Sequence, residues 1–110
     1  MTPRLATEIW VSAYRRRLDL EGIFCHVARR GDATAGAVLV KLATMDGRGR
    51  VFQRGFDLGT GDRAWTVLAE GAEADCDAAC ARQASFDPDV WVVEVEDPRG
   101  RHLLDAEGLG

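Results

Sequence analysis

Lysine is almost missing from this 110-residue chain: Lys41 is the only one among fourteen basic residues, a bias that genome composition explains as readily as any ligand does. Cysteine is scarce as well. Cys25, Cys76 and Cys80 are too few, and odd in number, for a disulfide framework, which excludes the stapled secreted class and fits a reducing compartment. Histidine is limited to His26 and His102, and neither Ser12 nor Ser85 has a nucleophile elbow around it. A nucleophile, a base and an orienting acid therefore cannot be assembled, and the chain leans away from enzymes. No apolar run approaches the ~20 residues that a membrane helix needs, and the opening MTPRLATEIW lacks the basic-then-apolar layout of a secretory signal. These absences predict a cytoplasmic protein with no membrane segment.

What is present is ordinary for a globular protein, with 46% apolar and 29% charged residues. A chain of this length buries roughly 65% of its unfolded surface, enough for one core, so residues 1–110 are expected to form a single domain. The net charge of −4 argues against general nucleic-acid binding, but it is unevenly spread. Residues 1–56 carry ten basic and five acidic side chains, a balance of +5; residues 57–110 carry four and thirteen, a balance of −9. Opposite potentials steer encounter, so this bipolar layout favours head-to-tail or antiparallel self-association, including a homodimer.

Turn signals and periodicity predict a helix from Pro3 to Glu21, capped by Thr2, with Leu5, Ile9, Ala13 and Leu20 near one face and Gly22 ending it. Strands are predicted over 23–30, 37–44, 50–57, 63–71 and 89–97, with hairpin signals at MDGRG and LGTGD. An Ala-rich helix with acids in its first turns is predicted over 72–83, and after the turn PRGR a short last strand at HLL. The plan is α+β: a mixed, mainly antiparallel sheet of about five strands with two helices, the alternative being a three-layer α/β sandwich.

Three stretches carry candidate chemistry. In FDPDVWVVEVED the strand alternation puts Glu94 and Glu96 on one face with Val90 and Val92, and Trp91, Val93, Val95 and Asp97 on the other. With Asp89 arriving from the preceding loop, Asp89, Glu94 and Glu96 form a candidate divalent-metal set, the one cofactor indicated. Pro88-Asp89 followed by Glu94-Val95-Glu96 is similar to the pattern of metal-dependent nucleases, except that Glu96 stands where they have lysine. A strand leaving the core for solvent, with acids keeping a sheet edge soluble, is the better reading of the same residues. In RVFQRGFD, Arg50, Phe52, Arg54 and Phe56 alternate onto one face, a mixture suited to stacking and phosphate contact with single-stranded nucleic acid. Arginine stems lying along apolar surface, with a bulge at Gly55, would also account for it. Cys76 and Cys80 lie four apart on the second helix, where Cys25, His26 or His102 would have to complete a zinc site, and a small-residue stripe packed on a sheet is the better reading. The GTGDRA segment sits between two strands rather than opening a helix, so it lacks the context of a dinucleotide fingerprint.

The ordered set ARRGDATAGAVLVKL, RAWTVLAEG and ARQASFDPDVWVVEVEDPRGRHLLD resembles a family of short bacterial proteins classed only as a domain of unknown function. The likeness covers almost the whole chain, with FDPDVWVVEVED its most specific block. It implies a mixed α/β domain and carries no activity, cofactor or site residue with it. The expectation is a non-catalytic module that binds a protein partner or itself. The alternatives are a nuclease-like or phosphoesterase enzyme using Asp89, Glu94 and Glu96, and a single-stranded nucleic-acid binder using Arg50, Phe52, Arg54 and Phe56.

Overall fold

The computed structural model describes residues 5–56, 59–61 and 63–106, the side chain of Phe56 excepted. The chain runs α1 (Thr7–Leu20), β1 (Phe24–Arg29), β2 (Val38–Ala43), β3 (Arg48–Phe56), β4 (Arg63–Ala72), α2 (Glu73–Phe86) and β5 (Trp91–Glu96). The strands form one sheet in the order β1-β5-β2-β3-β4, with β2 and β5 parallel and every other pair antiparallel. The two most apolar strands thus lie side by side inside the sheet, as strands buried on both faces must.

Alternation assigns the faces. Val40, Leu42, Trp91, Val93 and Val95 meet Trp10, Val11, Tyr14 and Leu18 of α1 on one side. Leu39, Val51, Val90 and Val92 meet Cys76 and Cys80 of α2 on the other. Burying each of the large side chains contributes ~1.5–3 kcal/mol, so one helix on each face closes two cores and gives the α+β sheet three layers.

The buried stripe of α1 is not the expected one. Leu5, Ile9 and Leu20 are exposed, whereas Trp10, Tyr14 and Leu18, spaced four apart, are buried. The aromatic stripe carries the larger apolar area, so it takes the core. The expected cap at Thr2 and Pro3 lies outside the described residues. The loop 31–37 serves the helix start instead: the Thr7 and Glu8 N–H groups donate to Thr34 O and Ala33 O, and Thr7 Oγ1 donates to Gly36 O at 2.8 Å. Gly22 ends the helix as expected, in the left-handed region at φ 72° with its N–H on Asp19 O.

Three other expectations are corrected. α2 runs on to Phe86. HLL forms no strand, because residues 101–106 cross the α1 face instead, burying Leu104 and accepting the Tyr14 hydroxyl on His102 O at 2.8 Å. The register shift in the β3–β4 pair falls between Val51 and Phe52, while Gly55 pairs regularly with Ala64. No helix among the described residues is long and apolar enough to cross a membrane.

Asp97 closes the turn after β5. Its buried carboxylate accepts Arg101 N–H at 2.7 Å, Nε at 3.0 Å and Nη2 at 3.1 Å. The Arg101 hydrogen bonds outweigh burial and hold its pKa below the usual carboxylate value of 3.8. A depressed carboxylate pKa contributes stability that is present above the unfolded value and lost as pH falls through the folded one. Asp97→Asn is therefore expected to cost about 2 kcal/mol at neutral pH in urea denaturation, with the gap to the parent protein closing below about pH 4. A gap that does not change with pH would remove the charge from this account.

Candidate functional site

α2 packs against β4, β3 and β2 and leaves β1 and the Glu94–Glu96 end of β5 outside its footprint. Register places Phe24 beside Glu96 and His26 beside Glu94 on that uncovered face. Phe24 is 60% exposed, its ring 6.1 Å from that of His26, and His26 Nε2 lies 3.3 Å from Glu94 Oε2. The edge of the α2 footprint is marked by a buried cation. The Lys41 side chain is 4% exposed, and its Nζ lies 3.1 Å from both Glu73 Oε1 and Glu94 Oε1 and is also paired with Asp77. The parallel register of β2 and β5 sets Lys41 opposite Glu94, and the first turn and a half of α2 brings the other two acids over it. Burial alone would lower the ammonium's pKa, but hydrogen bonds to Asp77, Glu94 and Glu73 outweigh it and hold the amine above the ordinary lysine range. A lysine held charged in this way serves as a structural cation that ties α2 to the sheet.

Of the candidate metal set, Glu94 and Glu96 share a face as expected, but Glu94 is engaged by Lys41 and His26. Asp89 precedes β5 and stands five positions before Glu94, ~16 Å along an extended chain. Its carbonyl accepts the Asp32 N–H at 3.0 Å and its own N–H donates to Asp87 Oδ1 at 3.0 Å. Among the described residues no group of three or more His, Cys, Asp or Glu side chains is placed to hold a metal ion. Cys76 and Cys80 lie in the α2-side core, whereas Cys25 packs against the α1-side core, so the sheet separates them. Burial pushes all three thiols above their ordinary range, Cys80 to about 11.

The aromatic–arginine strand is also brought to one face, but under cover. Phe52 is 6% exposed with its ring 4.6 Å from that of His102, and the Arg50 guanidinium lies over the Phe52 ring at 5.6 Å. The Arg54 guanidinium stands 5.0 Å from the rings of both Trp10 and Trp65. The arginines thus share a face with aromatics because they lie on them, each contact contributing ~0.5–2 kcal/mol. The Phe56 side chain lies outside the described residues. Beyond Arg54 a groove of about 710 Å³ opens between the start of α1 and the end of α2, lined in part by Trp10, Gly36, Gln53, Arg63 and Gln83. Burial holds the pKa of His102 below its ordinary value against the pull of Asp105, and its Nδ1 accepts the Leu104 N–H.

Among the described residues no strand pairs with the outer edge of β1. Sequence reasoning overlooked this edge and Lys41. The signal for Lys41 was a lone charge inside the apolar run AVLVKLAT. The exposed pair Leu20 and Phe24 at the start of β1 had no such marker.

The geometry defines a small α+β fold whose distinctive features are a buried lysine–carboxylate cluster, an open strand edge and an uncovered strip of sheet. The chain belongs to the family described as Protein of unknown function (DUF1491), whose model matches residues 5–105. Its fold is similar to the crystal structure, at 1.87 Å resolution, of a DUF1491 family protein from Caulobacter crescentus CB15, with 48% identity, a TM-score of 0.84 and coverage of 92% of this chain and 95% of that one. An NMR structure of a DUF1491 family protein from the same organism matches with 48% identity, a TM-score of 0.80 and 92% and 93% coverage. The solution structure of protein Atu0922 from A. tumefaciens matches with 32% identity, a TM-score of 0.71 and 86% coverage of each chain. No curated protein matches.

Proposed function

We propose that this protein is a binding module that pairs with a second copy of itself through the outer edge of β1. The observation that carries the reading is the edge itself: six residues whose outer side has no strand beside it among the described residues, flanked by Leu20 and Phe24, which are 71% and 60% exposed. An open edge is a template for another strand, and its orientation follows from charge. Asp19, Glu21 and Glu96 lie at the start of β1, and Arg29 and Arg30 at its end. Antiparallel pairing sets the acidic end of one copy against the basic end of the other, whereas parallel pairing would oppose like charges. The antiparallel arrangement is two-fold and closes on itself, so it yields a dimer rather than a filament.

A stable interface of standard size buries about 800 Å² per partner, and exposed Leu and Phe anchors on both copies supply its apolar part. Sedimentation equilibrium is expected to show a dimer at high micromolar concentration, and Leu20→Ala with Phe24→Ala is expected to weaken it roughly 100-fold, because four apolar anchors are lost across the two copies while the charges at both ends stay as they are. A monomer at every accessible concentration, or a dimer indifferent to the double variant, would overturn the reading.

A further inference from the structure

From the uncovered strip on the α2 side of the sheet we infer a second docking surface, which adjoins the β1 edge and shares Phe24 and Glu96 with it: it takes an amphipathic, Lys/Arg-bearing helix of a partner protein, laid beside α2. Width supports a helix. Strands stand ~4.8 Å apart, so the strip is ~10 Å across where β1 lies beside Glu94–Glu96, close to one helix diameter, and narrows to β1 alone toward Val92, which α2 covers, so it seats about two turns of a helix. α2 forms one wall of the trough and already packs on β2, β3 and β4 as a second helix would pack on β1 and β5.

The chemistry selects a basic occupant. The floor presents Phe24, His26, Glu94 and Glu96, the exposed Ala28 lies at the β1 bulge with Arg29 set beside Val92 beyond it, and the α2 wall adds Glu73 and Asp77. Four carboxylates therefore face two cations, Lys41, whose Nζ is already held by Glu73, Asp77 and Glu94, and Arg29 at the far end of the strip, whose Nη2 donates to Pro88 O. The exposed Phe24 ring gives an apolar anchor within this acidic rim. The arginine-rich α1 of a second copy, with Arg15, Arg16 and Arg17 exposed, is a poorer occupant. α1 lies on the opposite face of the sheet, so such a contact is face-to-back and gives a ring or a filament, not a two-fold dimer.

The test is titration of the isotope-labelled full chain, followed by NMR at physiological ionic strength, with two synthetic helical peptides that share a leucine stripe. One is flanked by lysine and arginine, the other by glutamate. The basic peptide is expected to bind and to shift the resonances of Phe24, His26, Ala28, Glu94, Glu96 and Asp77, and the acidic peptide to leave them unmoved. Glu96→Lys with Ala28→Arg keeps Phe24 and the Lys41 cluster intact and is expected to weaken the basic peptide at least tenfold. Equal binding by this variant, shifts centred elsewhere, no binding at all, or concentration-dependent polymers with shifts at Arg15–Arg17 would each overturn the inference. The β1 dimer is read without peptide and with Phe24 variants, so either proposal can fail alone.

Discussion

Lys41→Met is expected to lower the stability of the fold by about 2–3 kcal/mol, less than the cost of stranding a fully buried charge because the three carboxylates are partly exposed to solvent, and to lower Tm by roughly 8–12 °C. The methionine stem fills nearly the same volume, so the loss is electrostatic: Glu73, Asp77 and Glu94, each partly open to solvent, would face one another without the buried ammonium between them. The raised pKa of Lys41 contributes stability that is complete below the unfolded value of 10.5 and disappears only at more alkaline pH, so the parent protein should show no loss from this group between pH 6 and 9. Adding Glu94→Gln to Lys41→Met should restore about 1–2 kcal/mol by removing one of the three stranded charges. Thermal and urea unfolding across pH measure each step, and a Lys41→Met variant within 1 kcal/mol of the parent protein would show that the cluster does not hold α2 to the sheet.

Strands and turns were legible because the local signals agree with one another. AVLVKLAT, RVFQRGFD and RAWTVLAEG alternate or run apolar between Gly-rich turns, and the structure places β2, β3 and β4 within a residue or two of those bounds. The face assignment of β5 was equally legible, since Trp91, Val93 and Val95 face α1 while Val90 and Val92 face α2. What the sequence hides is non-local. Nothing in residues 37–44 says that they pair with residues 91–96 across fifty positions, and that parallel pairing is what puts Lys41 against Glu94. The acids of FDPDVWVVEVED therefore read as a ligand set or a charged rim, when one of them is the counter-ion of a lysine two strands' worth of turns earlier. The Arg50–Phe52–Arg54 face was misleading for a similar reason: α1 and residues 101–106, which cover Phe52, are distant in the chain. For α1 the failure was local. Trp10, Tyr14 and Leu18 form a better stripe than Leu5, Ile9 and Leu20, and weighing apolar area rather than counting aliphatic residues would have found it.

Gly31→Ala is expected to cost at least ~3 kcal/mol, at or above the upper end for overpacking, because the neighbour it meets is backbone that cannot move alone. A Cβ on Gly31 would lie 2.1 Å from the Asp89 carbonyl oxygen and 2.7 Å from Trp91 Cδ1, and one on Gly36 would lie 2.4 Å from the same oxygen. The Asp89 carbonyl thus sits in a slot between two glycines, where it accepts the Asp32 N–H at 3.0 Å, and Asp32 O in turn accepts Trp91 Nε1 at 2.7 Å. Trp91 is among the largest fully buried side chains, so a shift that relieves the methyl must move the anchor of β5. The same loop receives the first N–H groups of α1, which extends the disturbance from β5 to the helix start. Gly22→Ala gives the comparison: its Cβ meets nothing within 4 Å, and only the left-handed backbone at φ 72° opposes it, at ~1 kcal/mol. Urea denaturation of the two variants should separate them by ~2 kcal/mol or more, with Gly31→Ala also losing the near-ultraviolet signal of a packed tryptophan. Equal and small losses would mean that the slot around Asp89 can open without cost, and that the 31–37 loop does not fix β5 against α1.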